Sequence, residues 1–293
     1  MSHIRTAGKL LTALLLLVTT PILSVYGANK NTFYVATNGA DSNTCGPTDQ
    51  RPCRSITQAI ANAGPGDDII VGPGRYGDLD QNGVLSEPGE EAPAAGCGCM
   101  LAVNKAVSIY SSDGAAVTVI DARTLNVMTN VLIITNGGEF GRPGQGFTVT
   151  STGAGQFNST LNLSDAKGIA VDSNGVSIRG NRITPFLGFV VALQSELCVE
   201  LPGFGIYIVD SPGVILIEGN QVSGWLIGVV SSGTNKTINQ NALYLNAYGL
   251  FASGTASITG NVVMGSGSGC GDIDAGIDVV GNRPVAGNSF IGE

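Results

Sequence analysis

Asp78-Leu79-Asp80-Gln81-Asn82-Gly83-Val84 sets side-chain oxygens at alternate positions with a glycine sixth, the pattern of the first half of an EF-hand-type calcium loop. Calcium prefers hard oxygen ligands, and alternate residues of a turning chain can aim several at one point. The twelfth position, a glutamate in such loops, is Gly89, with Glu87 and Glu90 beside it. Asp78, Asp80, Asn82 and Glu90 are the expected metal ligands, in a geometry that departs from the EF-hand. The competing expectation is an acidic, proline-rich surface loop running to Cys99. Asp172 and Asp210 follow glycine-initiated segments, and Asp272, Asp274 and Asp278 cluster. Two acids facing each other across a groove could hydrolyse a glycosidic bond, although solvated turns are the simpler expectation for these five.

Other chemistries are excluded by what the chain lacks. Arg5 and Lys9, an apolar run from Leu10 to Val18, and a short segment with Pro21 ending in small residues follow the order of a secretory signal, with cleavage expected after Gly27. The run is too short to span a bilayer. The single histidine, His3, leaves with this segment, so an imidazole base, a Ser-His-Asp triad and histidine-ligated metals are excluded from the mature chain. Cleavage also removes two basic residues, leaving 12 Lys and Arg against 22 Asp and Glu. That balance disfavours nucleic acid and anionic membranes as partners. Six cysteines in an exported chain favour disulfides. Cys45 and Cys53 flank a short Gly-Pro-containing loop and should pair, whereas Cys97 and Cys99, one residue apart, should reach distant partners. The expected location is secreted, periplasmic or at the cell surface.

The elements that must position these groups come from a repeat. An apolar residue, a variable residue, Gly or Gln, Asn, a variable residue and a second apolar residue recur at Ile178–Ile183, Ile217–Val222, Ile238–Leu243, Ile258–Val263 and Val285–Phe290. A glycine and an apolar residue precede each box: Gly168-Ile169, Gly205-Ile206, Gly228-Val229, Gly249-Leu250 and Gly276-Ile277. Periods of this length announce a solenoid of short strands, in which like residues stack in ladders from coil to coil. Ile178, Ile217, Ile238, Ile258 and Val285 should form one inward ladder. Asn181, Asn220, Asn241, Asn261 and Asn288 should form a corner ladder, asparagine tolerating the left-handed bend while its amide bonds the next rung. Side chains alternate along a strand, so Ala170, Tyr207, Val230, Phe251 and Asp278 should point outward. Tyr207, Val230 and Phe251 then make an apolar outer row suited to a sugar chain, unless the loop 187–202 folds over it.

Residues 33–76 read differently: a strand, a cysteine loop, a helix from Ser55 to Ala63 with Ser55 and Gln58 as capping box, then a strand at Asp68–Val71. The chain divides into a signal peptide (1–27), an N-terminal cap with the first coil (28–76), and coils (77–293) with inserted loops at 77–99, 187–202 and 265–271. The final coil, ending just past Asn288, should expose core and meet further coils or another chain.

The segments Phe33-Tyr34-Val35-Ala36, Arg51-Pro52-Cys53-Arg54-Ser55-Ile56 and Gly66-Asp67-Asp68-Ile69-Ile70-Val71-Gly72-Pro73-Gly74, with the five asparagine boxes, resemble the pectate-lyase-like right-handed parallel β-helix superfamily. The resemblance implies an all-β right-handed parallel β-helix with a short N-terminal capping helix. It also implies a secreted protein that binds or processes a polysaccharide, with a lyase as the chemistry if it is catalytic. The alternative it leaves open is a non-catalytic cell-surface or adhesion solenoid. Lyases of this kind use an arginine or lysine base, often with calcium, and Lys167, Arg179, Arg182 and Lys236 lie in the repeats. Arg179 and Asp210 are the catalytic candidates. Arg179 and Glu218 occupy the same slot in adjacent boxes, so a plain surface ion pair is the competing expectation.

Overall fold

The computed structural model describes residues 30–80, 82, 84–85, 87–92, 96–122, 130–150, 166–185, 203–211, 213–265, 276–280 and 285–291. The segment 1–27, the loop 187–202 with Cys198, and Cys270, Asp272 and Asp274 lie outside these residues. The chain winds into a right-handed parallel β-helix with one short helix, α1 (Ile56–Asn62), near its N-terminus. Every strand pairing is parallel, and each coil visits three faces in turn. The first face stacks Cys99–Val103, Asn130–Ile134, Lys167–Val171, Phe204–Ser211 and the coils above. The second runs from Thr32–Val35 through Asp68–Val71, Val107–Ser111 and Val176–Arg179. The third runs from Gly74–Gly77 to Ser289–Ile291. Ile227–Asn239 and Tyr248–Thr259 pass through both the first and second faces.

Burial of the inward rows drives this winding. The predicted ladder is in register, Ile178 to Ile217 to Ile238 to Ile258 to Val285, and it continues downward through Phe140, Ile109 and Ile69 to Phe33. Each fully buried isoleucine is worth roughly 1.5–3 kcal/mol of transfer free energy. In the uppermost coil Val285 and Phe290, the last members of two inward rows, are exposed.

The asparagine ladder forms, with one correction. From Asn220 to Asn288, Oδ1 accepts both the backbone N–H and the Nδ2 of the asparagine below, whereas Oδ1 of Asn181, the lowest rung, accepts the Phe147 N–H; each Nδ2 reaches the carbonyl of the inward residue one coil down, as Asn241 does to Ile217 at 3.0 Å. The left-handed residue, however, is the one before it: Gly180, Gly219, Gln240, Gly260 and Gly287 have φ between 54° and 66°. That bend turns the asparagine side chain inward, where its amide satisfies buried backbone groups that no strand ladder reaches. The strand-initiating glycines have a different cause. A Cβ on Gly205 would lie 2.3 Å from Val222 Cγ1 and 2.6 Å from the Gly228 carbonyl, against the buried Trp225.

Helix α1 covers the first coil. Ser55 is its N-cap and accepts the Gln58 N–H at 3.1 Å, but the capping box does not close. The Gln58 side chain bonds Asn62, and Asp41 takes the Ser55 N–H. Cys45 pairs with Cys53 as expected. Cys97 and Cys99 pair with each other, contrary to expectation, because Gly98 at φ 55° reverses the chain and brings their Cα atoms to 5.2 Å.

Candidate functional site

Two places on this frame gather side chains that the ladders do not use. The first follows the strand Gly74–Gly77. Asp78, Asp80 and Glu90 bring carboxylate oxygens within 4.8 Å of one another. Asp78 is 1% exposed and Glu90 6%, so water screens these two poorly, while Asp80 is exposed. Glu90 Oε1 accepts the Leu79 N–H at 2.7 Å, while its Oε2 is buried with no hydrogen-bond partner among the described residues. A buried carboxylate oxygen without a donor is costly, and a cation would supply the missing interaction. Asn82 is turned otherwise: its Oδ1 accepts the Val84 N–H, and its amide donates to Asp80 Oδ2 and Glu87 Oε2. It braces Asp80 instead of aiming an oxygen beside it. The all-oxygen set fits a hard divalent cation. Asp41, Cys45 and Cys53 also converge, but both sulfurs are locked in the disulfide and Asp41 bonds the Arg54 and Ser55 N–H groups.

The second place is the outside of the first face. Ala170, Tyr207, Val230, Phe251 and Asp278 align in register as the alternation requires. Tyr207, Val230 and Phe251 are half-buried, Ala170 is buried and Asp278 exposed. A parallel row was missed from the sequence: Lys167, Phe204, Ile227 and Tyr248, also in register. Its signal was available, since each of these residues immediately precedes a strand-initiating glycine. The rings of Phe204 and Tyr207 are 4.9 Å apart, and the Lys167 ammonium lies 5.1 Å from the Tyr207 ring. The result is an apolar patch two rows wide and three coils tall, with a cation at its lower edge.

The catalytic candidates are not brought together. Arg179, on the second face, binds Glu218 Oε2 at 2.8 Å and Glu139 Oε1 at 3.2 Å. It belongs to a chain of alternating charges, Lys30–Asp68–Arg142–Glu139–Arg179–Glu218, in which Arg142 also stacks on Tyr110 at 3.7 Å. Asp210 lies in the strand Phe204–Ser211 on the first face. Lys236 occupies an inward position in register with Ile215 and Ala256, and its Nζ donates to the carbonyls of Ser211 and Gly213. Burial holds that amine below the usual lysine range.

Among the described residues no helix is long and apolar enough to cross a membrane. A family model described as a protein of unknown function (DUF1565) matches residues 37–83. No curated protein matches the chain. Among solved structures, the pectate lyase Pel9A aligns with a TM-score of 0.56 at 15% identity over 87% of this chain and 61% of its own length. A rhamnogalacturonan lyase aligns at 0.54 and 14% identity over 88% of this chain. The chain spans 62% of that second protein, so less than two thirds of either. At these identities the likeness is one of fold: a parallel β-solenoid similar to that of pectate and rhamnogalacturonan lyases.

Proposed function

We propose that this is a secreted carbohydrate-active β-helix that binds a polysaccharide along its first face, with calcium held by Asp78, Asp80 and Glu90. The observation that carries the reading is the in-register patch of Phe204, Tyr207, Ile227, Val230, Tyr248 and Phe251. Coils repeat at about 4.8 Å, so Tyr207 and Phe251 stand roughly 10 Å apart, a pitch that suits rings of a sugar chain lying along the axis. A contiguous outer patch of this kind marks a contact surface. Both aligned solved structures carry the names of polysaccharide lyases, which favours the same class of ligand here. If the protein is also catalytic, elimination is the chemistry to assay, with Arg179 on the second face and Asp210 on the first varied separately.

A non-catalytic adhesion solenoid is the second reading, and one observation favours it: the Arg179 guanidinium is engaged by two carboxylates instead of being presented to a ligand. Immobilised polysaccharides and ultraviolet detection of unsaturated uronate products separate the two. The double substitution Tyr207→Ala with Phe251→Ala should abolish retention while lowering stability by about 2 kcal/mol, since both side chains are only half-buried. Unchanged retention, with a loss of stability as large as that of a core truncation, would remove the first face from consideration.

A further inference from the structure

Glu90 and Glu91 are neighbours with opposite tasks. Glu90 faces Asp78 and Asp80, whereas the Glu91 carboxylate accepts the Ile56 and Thr57 N–H groups at 2.8 Å each and the Thr57 hydroxyl at 2.5 Å. Glu91 therefore holds the first turn of α1 from 35 residues away. The helix has seven residues, too few to persist without help from outside. The same loop touches the segment before the helix a second time: a Cβ on Gly89 would come within 3.2 Å of Arg54 Cγ, and Arg54 precedes the N-cap. At its other end the loop is held to the strand Gly74–Gly77 by the Glu91 N–H to the Gly77 carbonyl and by Leu79 to Glu90.

Without a cation, three carboxylates converge within 4.8 Å and one buried oxygen lacks a donor among the described residues, so repulsion works to open the loop at Glu90. Opening there carries Glu91 away from the helix, because adjacent residues share one backbone. Resting on the calcium reading given above, we infer that divalent-cation binding at Asp78, Asp80 and Glu90 and the capping of α1 by Glu91 form one coupled equilibrium. The cation locks the N-terminal cap onto the first coil. Coupling is reciprocal: the factor by which the cation protects the helix is the factor by which helix capping raises cation affinity.

Calcium chloride is the probe, and the full chain is compared in calcium and in chelator. Titration calorimetry reports binding, and amide hydrogen exchange reports the cap. Calcium should slow exchange across Ile56–Asn62 by about tenfold and leave Ala242–Asn246, in a distant coil, unchanged. Asp80→Asn, at an exposed position, should remove that calcium dependence, and by relieving the repulsion it should leave calcium-free exchange across Ile56–Asn62 no faster than in the wild type. Glu91→Gln should weaken calcium binding by the same tenfold. Calcium binding that depends on Asp80 but leaves exchange at Ile56–Asn62 unaltered would overturn the coupling with the site intact. No binding in the wild type would overturn the calcium reading and the coupling with it.

Discussion

Replacing Asn241 by alanine should cost about 4 kcal/mol, and the figure follows from counting what its amide does. Four hydrogen bonds run through that side chain: Oδ1 accepts the Asn220 N–H and Nδ2, and Nδ2 donates to the Ile217 carbonyl and Asn261 Oδ1. Each is worth about 1 kcal/mol net, and the corner is dry, with Asn241 and its neighbours Asn220 and Asn261 at most 1% exposed. No water can enter to replace the lost partners unless the coil opens. Asn288, at the top of the ladder, makes three such bonds but is only partly buried, so its alanine variant should cost about 1 kcal/mol. Asn241→Asp should behave like the alanine variant, because a carboxylate oxygen would then face the Ile217 carbonyl. Urea unfolding, followed by the emission of the single tryptophan, the fully buried Trp225, measures all three against wild type at constant m-value. An Asn241→Ala loss below 1 kcal/mol, or an Asn288→Ala loss equal to it, would refute the claim that the ladder is a cooperative stack of buried amides.

Gly205→Ala should destabilise by about 3 kcal/mol and shift Trp225 emission, because the added methyl meets Val222, the Gly228 carbonyl and the indole at once; an unaltered spectrum and melting temperature would contradict that packing. Lys236 supplies a pH dependence with a definite sign. Its folded value is lowered below 10.5, so the unfolded chain binds the proton more tightly and stability should rise with pH from the folded value towards 10.5. Lys236→Met should flatten that rise, and the comparison belongs below pH 10, since Tyr76, pushed up to about 12 by burial, acts in the opposite direction above it.

The parts of this fold that were legible in the sequence are those in which one residue type recurs for one physical reason. The inward isoleucines and corner asparagines repeat because each must match the rung above it, so five boxes located the upper coils. Below Asn181 the corner asparagine is absent, although the inward row continues to Phe33, and no box marked those coils. What could not be read depends on distant contacts. Glu91 caps a helix 35 residues earlier. Lys236 sits in an apolar row because two carbonyls of the preceding coil wait for its ammonium. The Cys97–Cys99 pair depended on Gly98 adopting a left-handed turn, which spacing alone does not reveal. In the acidic loop Asp78, Asp80 and Glu90 converge, as their spacing suggested, whereas the Asn82 side chain serves the turn itself.

The two outer faces of the same coils divide the surface chemistry between them. On the second face the charges alternate in sign from Lys30 to Glu218, each carboxylate meeting a cation at 2.6–3.4 Å. Such a ladder satisfies itself, and a charged ligand would have to break existing pairs before gaining new ones. The first face offers mainly carbon: aromatic and aliphatic side chains on successive coils, half-buried by one another, with the Lys167 ammonium against two rings. The inward rows hold this spacing fixed, because a coil cannot shift without carrying its asparagine and isoleucine out of register with both neighbours. A ligand bound along the axis would meet a rigid series of platforms, and the protein would lose less conformational freedom on binding it than mobile loops would.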